Sequence, residues 1–443
     1  MLGYNNNVLR VNLSTSSLKT ERISDYVLEL FLGGKGLGTY YIYNEVPPGT
    51  GPFSPGNKIV FAAGGFSGLI PGASKVSVVS KSPLTRLISD TQAGDSFGPM
   101  LKRAGFDAII IEGASEKPVY LWINDGEFEL RDASEIWGEP VSVSTARILR
   151  ETRRDASVAV IGPAGERLVR YACIIFDAHR VAGRGGIGAV MGSKKLKGIA
   201  VYGKERPPVY DSTLLEELSQ KYFNKFVSDP KLSDLRKYGT TDGLKTSGSL
   251  GMSPSYNFNK PYIPEELALK LAGDEVLKRA LSEREVPEKL RGRGCPIKCS
   301  RYVLTTFKGK VIRIKPEYEC LAMLGAATGI FDMDWVLYFN HLVNELGLDS
   351  ISTGNVISWY LELVEKGMVE DWGSEGIKGF GDNDAVEILI HLIAGRKGVG
   401  AILAEGVKKA SEILGVGRDL AVHVKGLEAP AWDPRGRRGL ALS

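Results

Sequence analysis

Short apolar runs broken by turn residues dominate the first half of the chain. KIVFAA, VSVVS, AIIIEG, SVAVIG, YACIIF and GIAVYG are β-branched and bounded by Gly, Ser or Pro, which predicts short strands. NNVLRVNLSTSSLKTERIS alternates around a Ser-rich turn and reads as a hairpin. In VYLWINDGEFELRD, the Asn124-Asp125-Gly126 stretch supplies the positive-φ positions of a tight hairpin turn. Helical interruptions are expected at 25–32, 96–104 and 142–153. The period then changes. Pro207 and Pro208 fit neither a strand interior nor a helix interior, and Asp211 or Ser212 can cap a helix that follows. Beyond them TLLEELSQKYFNKFV, EELALKLAGDEVLKRALS, YECLAMLGAATGI, WVLYFNHLVNELG, VISWYLELVEKG, AVEILIHLIAG and VGAILAEGVKKASEILG carry apolar residues at three- and four-residue spacing. The pattern predicts an α+β protein, with a β-rich domain over 1–208 and a helical one over 209–428.

Composition narrows the class. A chain of 443 residues is long enough for two or three domains. Its 56 basic and 52 acidic side chains nearly balance, so nothing points to a nucleic acid or an anionic membrane as partner. The N-terminus has no apolar run of signal-peptide length, and no stretch approaches a membrane span. The four cysteines (Cys173, Cys295, Cys299, Cys320) are too scattered for a disulfide framework, so a reducing, cytoplasmic setting is expected. Glycine is unusually frequent at 53 residues, clustered in FLGGKGLGTY, AAGGFSGLIPG and AGRGGIGAVMG. Such clusters mark turns where backbone approaches another backbone or a cofactor.

Four stretches carry candidate chemistry. GRGGIG (183–188) matches G-x-G-x-x-G but lacks the strand-to-helix setting of a dinucleotide site, and Glu205, near the distance at which such a site has its acidic residue, falls in the linker. A tight turn is the simpler reading; Arg180 and Arg184 beside it could pair with phosphate. Cys295 and Cys299, in RGRGCPIKCS, are either two ligands of a metal cluster or two structural thiols. In PEYEC, Glu317 and Glu319 open an apolar helix, where acidic groups complement the helix dipole or move protons from a buried position. NELGLDS breaks a helix at Gly347 and gathers Asn344, Asp349 and Ser350.

RVNLST, KSPLT, FDAIIIEG, IGPAGE, DAHRVAGRGGIGAVMGSKKLK, KYGT, CPIKC, PEYE, ELGLDSIST, LAEG and PAWDPRG, in this order, resemble the tungsten-containing aldehyde ferredoxin oxidoreductase family. The resemblance implies a tungsten (or molybdenum) bis-pterin centre with a bridging magnesium, oxidation of aldehydes to carboxylic acids, and electrons leaving through a 4Fe–4S cluster to ferredoxin. It implies a β-rich pterin platform under helical domains, with residues 429–443 as the start of a third, largely missing domain. By motif, Arg180 and Val181 would lie at the pterin phosphates, Gln92 and Gly94 would face the same region, and Lys75 would be a basic contact. Asn344, Leu348, Asp349 and Ser350 would hold one pterin edge, with Asp433 near the chain's end. Glu319 would be the carboxylate beside tungsten, and Cys295 and Cys299 would be cluster ligands.

The chain departs from the family pattern at these positions. Gly292 stands at the first cysteine of C-x-x-C-x-x-x-C, and the fourth cluster cysteine falls beyond residue 443. Lys75 replaces an arginine and Gln92 an asparagine. Tyr338 and Glu387 occupy the places of the Glu and His of the family's dimer-interface metal site. Three readings follow: a split enzyme completed by a second polypeptide, a paralogue without oxidoreductase activity that serves as a binding subunit, and an interrupted product. A homodimer is compatible with each.

Overall fold

The computed structural model of the protein describes residues 1–282, 285–286, 295–369 and 376–442. Gly292 lies outside the described residues. The chain forms two compact units: one built on Met1–Ser228, to which Cys295, Pro296 and 345–347 also belong, and one built from the other described residues.

The first unit contains two six-stranded sheets. The first holds β1 (Asn7–Asn12), β2 (Ser17–Arg22), β3 (Ile59–Ala63), β4 (Val76–Lys81), β5 (Ile88–Ala93) and β6 (Ala108–Glu112) in the order β2-β1-β6-β3-β4-β5. The second holds β7 (Val119–Asn124), β8 (Glu127–Asp132), β9 (Ser157–Val160), β10 (Ile174–Phe176), β11 (Arg180–Ala182) and β12 (Leu196–Tyr202) in the order β11-β10-β9-β12-β7-β8. All neighbours are antiparallel except β1–β6 and β12–β7.

Strand alternation explains why the first sheet is apolar on both faces. Leu9, Val11, Phe61, Val78, Ile109 and Ile111 pack in one core with Leu121, Ile123, Val158, Val160, Ile175 and Ile199 of the second sheet. Their neighbours Val8, Val60, Val79 and Ile110 point the other way, onto Leu28, Leu37, Tyr41 and Ile42 of helices Asp25–Phe31 and Gly34–Glu45. The hairpin turn falls where expected, with φ of 49° at Asp125 and 91° at Gly126.

The second unit is mostly helical. Its central helix, Ser350–Glu365, is buried without a break from Ser352 to Leu363, which is why its sequence shows little amphipathic contrast. Asp349 caps it, accepting from the Ile351 and Ser352 amides. Helix Tyr318–Leu324 approaches it so closely that a Cβ on Gly354 would lie 2.3 Å from the Met323 carbonyl oxygen. EELALKLAGDEVLKRALS forms two short helices, Glu265–Lys270 and Gly273–Leu277, and Gly406 (φ 85°) splits VGAILAEGVKKASEILG in the same way. A hairpin of β13 (Val303–Phe307) and β14 (Lys310–Ile314) turns at Lys308-Gly309. No single helix among the described residues is long and apolar enough to cross a membrane.

Candidate active site

In the first unit, five of the expected residues come together. β5 ends at Ala93 and runs into Gly94, while β11 lies against β5 and carries Arg180 and Val181. Gln92 pairs with Ser77 and Ala93 with Val76, so Lys75 precedes the first β4 residue of the same ladder. Lys75 and Gln92 are exposed; Gly94, Arg180 and Val181 are half-buried. Gln92 Nε2 donates to Asp90 Oδ2 over 3.2 Å.

The best-held group here is Asp95, whose sequence signal is only an acidic residue in QAGDSFG. It is 4% exposed and takes a positive φ of 97°, a conformation that side chains rarely adopt. Its amide donates to Ser74 Oγ over 3.1 Å. Asp95 Oδ2 accepts from His179 Nε2 at 3.2 Å and Arg180 Nε at 3.4 Å. His179 Nδ1 donates to the Asp177 carbonyl over 2.6 Å, which fixes the ring. Burial pushes the Asp95 carboxyl up, but the His179 hydrogen bond and the charges of His179 and Arg180 outweigh it and hold it below the usual carboxylate range. Asp95 Oδ1 is buried with no hydrogen-bond partner among the described residues, and Asp95 is one of the residues that line a cavity of about 760 Å³, with Leu69, Ile70, Ser74, Arg103 and Phe223.

The GRGGIG turn serves packing. A Cβ on Gly185 would lie 2.0 Å from Ser89 Oγ, and one on Gly186 would lie 1.8 Å from the Arg170 carbonyl oxygen. Both residues take positive φ, 83° and 74°. Gly185 thus lies against the Ser89 side chain and Gly186 against the Arg170 backbone, both in the same unit.

In the second unit, the helix opened by PEYEC starts at Tyr318, and its Glu319 Oε2 accepts the Ala431 amide at 2.8 Å. Glu317 is an ion-pair partner of Lys315 at 3.2 Å and accepts from the Thr240 hydroxyl. Cys320 Sγ is 3.4 Å from Ser350 Oγ, and burial pushes its thiol up to about 12. Asn344, Leu348 and Asp349 are buried, and Ser350 is half-buried. Thr353 Oγ1, in the first turn after Asp349, has no partner among the described residues. Asp433 is fully buried and engaged: Arg435 pairs with it at 2.6 Å, and its amide donates to the Met252 carbonyl over 2.8 Å.

Cys295 and Cys299 are both half-buried. Within its own unit Cys295 neighbours Gly72, where an added Cβ would lie 3.9 Å from Sγ. In the other unit the Cys299 carbonyl accepts from the Thr240 amide at 3.1 Å. Among the described residues no three His, Cys, Asp or Glu side chains form a metal-binding group. Glu387 is occupied by the Tyr338 hydroxyl at 2.6 Å and by Lys308.

Two family descriptions cover nearly the whole chain: "Aldehyde ferredoxin oxidoreductase, N-terminal domain" matches residues 8–203, and "Aldehyde ferredoxin oxidoreductase, domains 2 & 3" matches residues 217–443. The chain belongs to the aldehyde ferredoxin oxidoreductase family. Within that family it is 40% identical to the tungsten-containing aldehyde ferredoxin oxidoreductase of Pyrococcus furiosus, covering all of this chain and 72% of that protein. The Thermococcus kodakarensis enzyme of the same name is 39% identical with the same coverage. The aliphatic sulfonate oxidoreductase WOR-like subunit of Pyrococcus furiosus is 34% identical over 97% of this chain and 71% of that one. Among solved structures, a chain of the active site complex BamBC of benzoyl coenzyme A reductase, in complex with 1,5-dienoyl-CoA, superposes with a TM-score of 0.86 at 28% identity. The match covers 97% of this chain and 66% of that chain, just under two thirds of its length.

Proposed function

We propose that this aldehyde ferredoxin oxidoreductase family chain takes part in oxidising an aldehyde to a carboxylic acid at a tungsten or molybdenum bis-pterin centre. The observation that carries the reading is Glu319, a carboxylate oriented by a backbone amide in a chain 40% identical to tungsten enzymes of that activity. Overall, an aldehyde and water give a carboxylic acid, two protons and two electrons. Glu319 would accept one of those protons.

The residues fit a large polar heterocycle. Each unit carries a buried oxygen without a partner among the described residues beside the residues named for the cofactor, Asp95 Oδ1 in one and Thr353 Oγ1 in the other. Arg180 and Lys75 would hold the pterin phosphates, with Gln92, Gly94 and the Val181 carbonyl toward the magnesium. Asn344, Leu348, Asp349 and Ser350 would hold a pterin edge, and Asp433 would brace the turn it shares with Arg435. When bound, the group supplies the two-electron sink and the sulfur ligands of its metal.

A 4Fe–4S cluster does not fit in the same way. It takes four thiolates, and the chain has two cysteines in the cluster loop, Cys173 being fully buried and Cys320 engaged with Ser350. No electron step is assigned to it. The likeness to a chain of the BamBC complex supports a second polypeptide that carries electrons onward to ferredoxin or a similar carrier.

The test is anaerobic purification from the native host, with tungsten, molybdenum and iron analysis and aldehyde-dependent reduction of a viologen dye. Stoichiometric tungsten or molybdenum with turnover is the expected result. Well-folded protein without either metal would overturn the proposal.

A further inference from the structure

The turn that follows Pro430 grips Glu319. Ala431 is held at both polar atoms by two adjacent side chains of helix Tyr318–Leu324. Its N–H donates to Glu319 Oε2 over 2.8 Å, and its carbonyl accepts from the Tyr318 hydroxyl. A carbonyl can only accept, so the single hydroxyl proton of Tyr318 is committed to Ala431. Ser247 and Ser253, each 3.2 Å from the Tyr318 oxygen, must then turn their own hydrogens toward it.

The arrangement is deeply enclosed. Ala431 is fully buried and Tyr318 is 5% exposed. Burial pushes the Tyr318 hydroxyl up to about 12, so it remains a donor throughout the neutral range. The Tyr318 ring packs on Trp432 with centroids 4.6 Å apart, and the Arg437 guanidinium lies 3.9 Å over Trp432. Gly243 leaves room for the ring, since a Cβ there would come within 3.0 Å of it.

We propose that Tyr318 is a positioning residue: acting through Ala431, it fixes the Glu319 carboxylate and keeps it ready to accept a proton. This rests on the reading of Glu319 as the carboxylate of the reaction site. An N–H offered to a carboxylate is a charge-assisted bond that favours the ionised, proton-accepting form. Tyr318 itself, with its proton committed to a backbone carbonyl, is not a catalytic acid.

Two measurements on the full chain test the proposal. The first is hydrogen exchange at the Ala431 amide, which needs no turnover. Tyr318→Phe should speed it about fivefold, as expected when the neutral hydroxyl-to-carbonyl bond that holds this peptide unit against Glu319 is lost. Should that variant fail to fold, Glu319→Ala removes the other bond to Ala431, the one its N–H makes, and should speed exchange by about tenfold or more. Exchange within twofold of the parent in every folded variant would overturn the proposal.

The second is the pH profile of aldehyde oxidation by metal-loaded protein, with metal content measured in parallel. Tyr318→Phe should lower kcat at unchanged KM and unchanged metal content, and move the acid limb to higher pH. Glu319→Gln should abolish that limb. A Glu319→Gln variant that keeps the limb would sink the catalytic reading of Glu319 and leave the exchange result intact. Loss of the limb in Glu319→Gln with an unshifted limb in Tyr318→Phe would sink the positioning role alone.

Discussion

Two kinds of buried residue set the protein's chemical behaviour. Cys173 is fully buried and Cys320 is held up at about 12 by burial, whereas Cys295 and Cys299 are half-buried. Only a thiolate reacts with iodoacetamide. Mass spectrometry of the native protein at neutral pH should therefore find label at Cys295 and Cys299 first, with Cys173 and Cys320 labelled only on unfolding. Lys194 is fully buried and donates to the carbonyls of Gly113 and Pro55 at 2.9 and 3.2 Å. Burial lowers its ammonium to about 8. From there to the ordinary lysine value the unfolded chain binds more protons than the folded one, so this group makes stability rise with pH across that window. The full difference is of order 3 kcal/mol, present above the unfolded value and lost as pH falls through about 8. In Lys194→Met, urea denaturation at a series of pH values should show a flatter slope between about pH 8 and 10.

Elements are joined by a few polar contacts whose loss should be costly. Asp107 accepts the Asn5 and Asn6 amides at 2.9 and 2.7 Å and pairs with Lys102 at 3.4 Å, both side chains being 1% exposed. Asp107→Ala strands a buried ammonium, and chemical denaturation should show a loss of about 3–5 kcal/mol. Gly186→Ala places a methyl group on the Arg170 carbonyl at a positive φ and should fail to give folded protein or lower the melting temperature sharply. The strands and long helices were legible because their apolar period survives in the sequence. β5, ISDTQA, was not, because it is a largely polar strand paired through its backbone. Helix Gly34–Glu45 was hidden by glycines, one of which, Gly38, is needed because a Cβ there would lie 2.5 Å from Val79 Cγ2. The hairpin β13–β14 did carry its signal, alternation on either side of Lys-Gly. The proposed site residues were picked out through family motifs. Their partners were not, since Asp95 meets His179 across 84 positions and Tyr318 meets Ala431 across 113.

For the whole molecule, the residues proposed for the cofactor and the cluster loop predict two different outcomes. Gly292 withholds one of the loop thiolates that a cubane takes, so reconstitution of this chain with iron and sulfide should give less than a full reduced-cubane EPR signal. A strong signal of that type would show that other side chains complete the cluster. Tungsten or molybdenum content should not depend on the loop, and a Cys295→Ser, Cys299→Ser double variant should retain the metal. The contacts of Asp107 have a consequence for synthesis. Its partners Asn5 and Asn6 emerge 102 and 101 residues earlier, and β1 also waits for β6 to pair in parallel. At about 5–20 residues per second, that interval is roughly 5–20 s. Throughout it the nascent hairpin β1–β2 leaves the ribosome with Leu9 and Val11 uncovered, which predicts chaperone contact with this segment while the chain is being made.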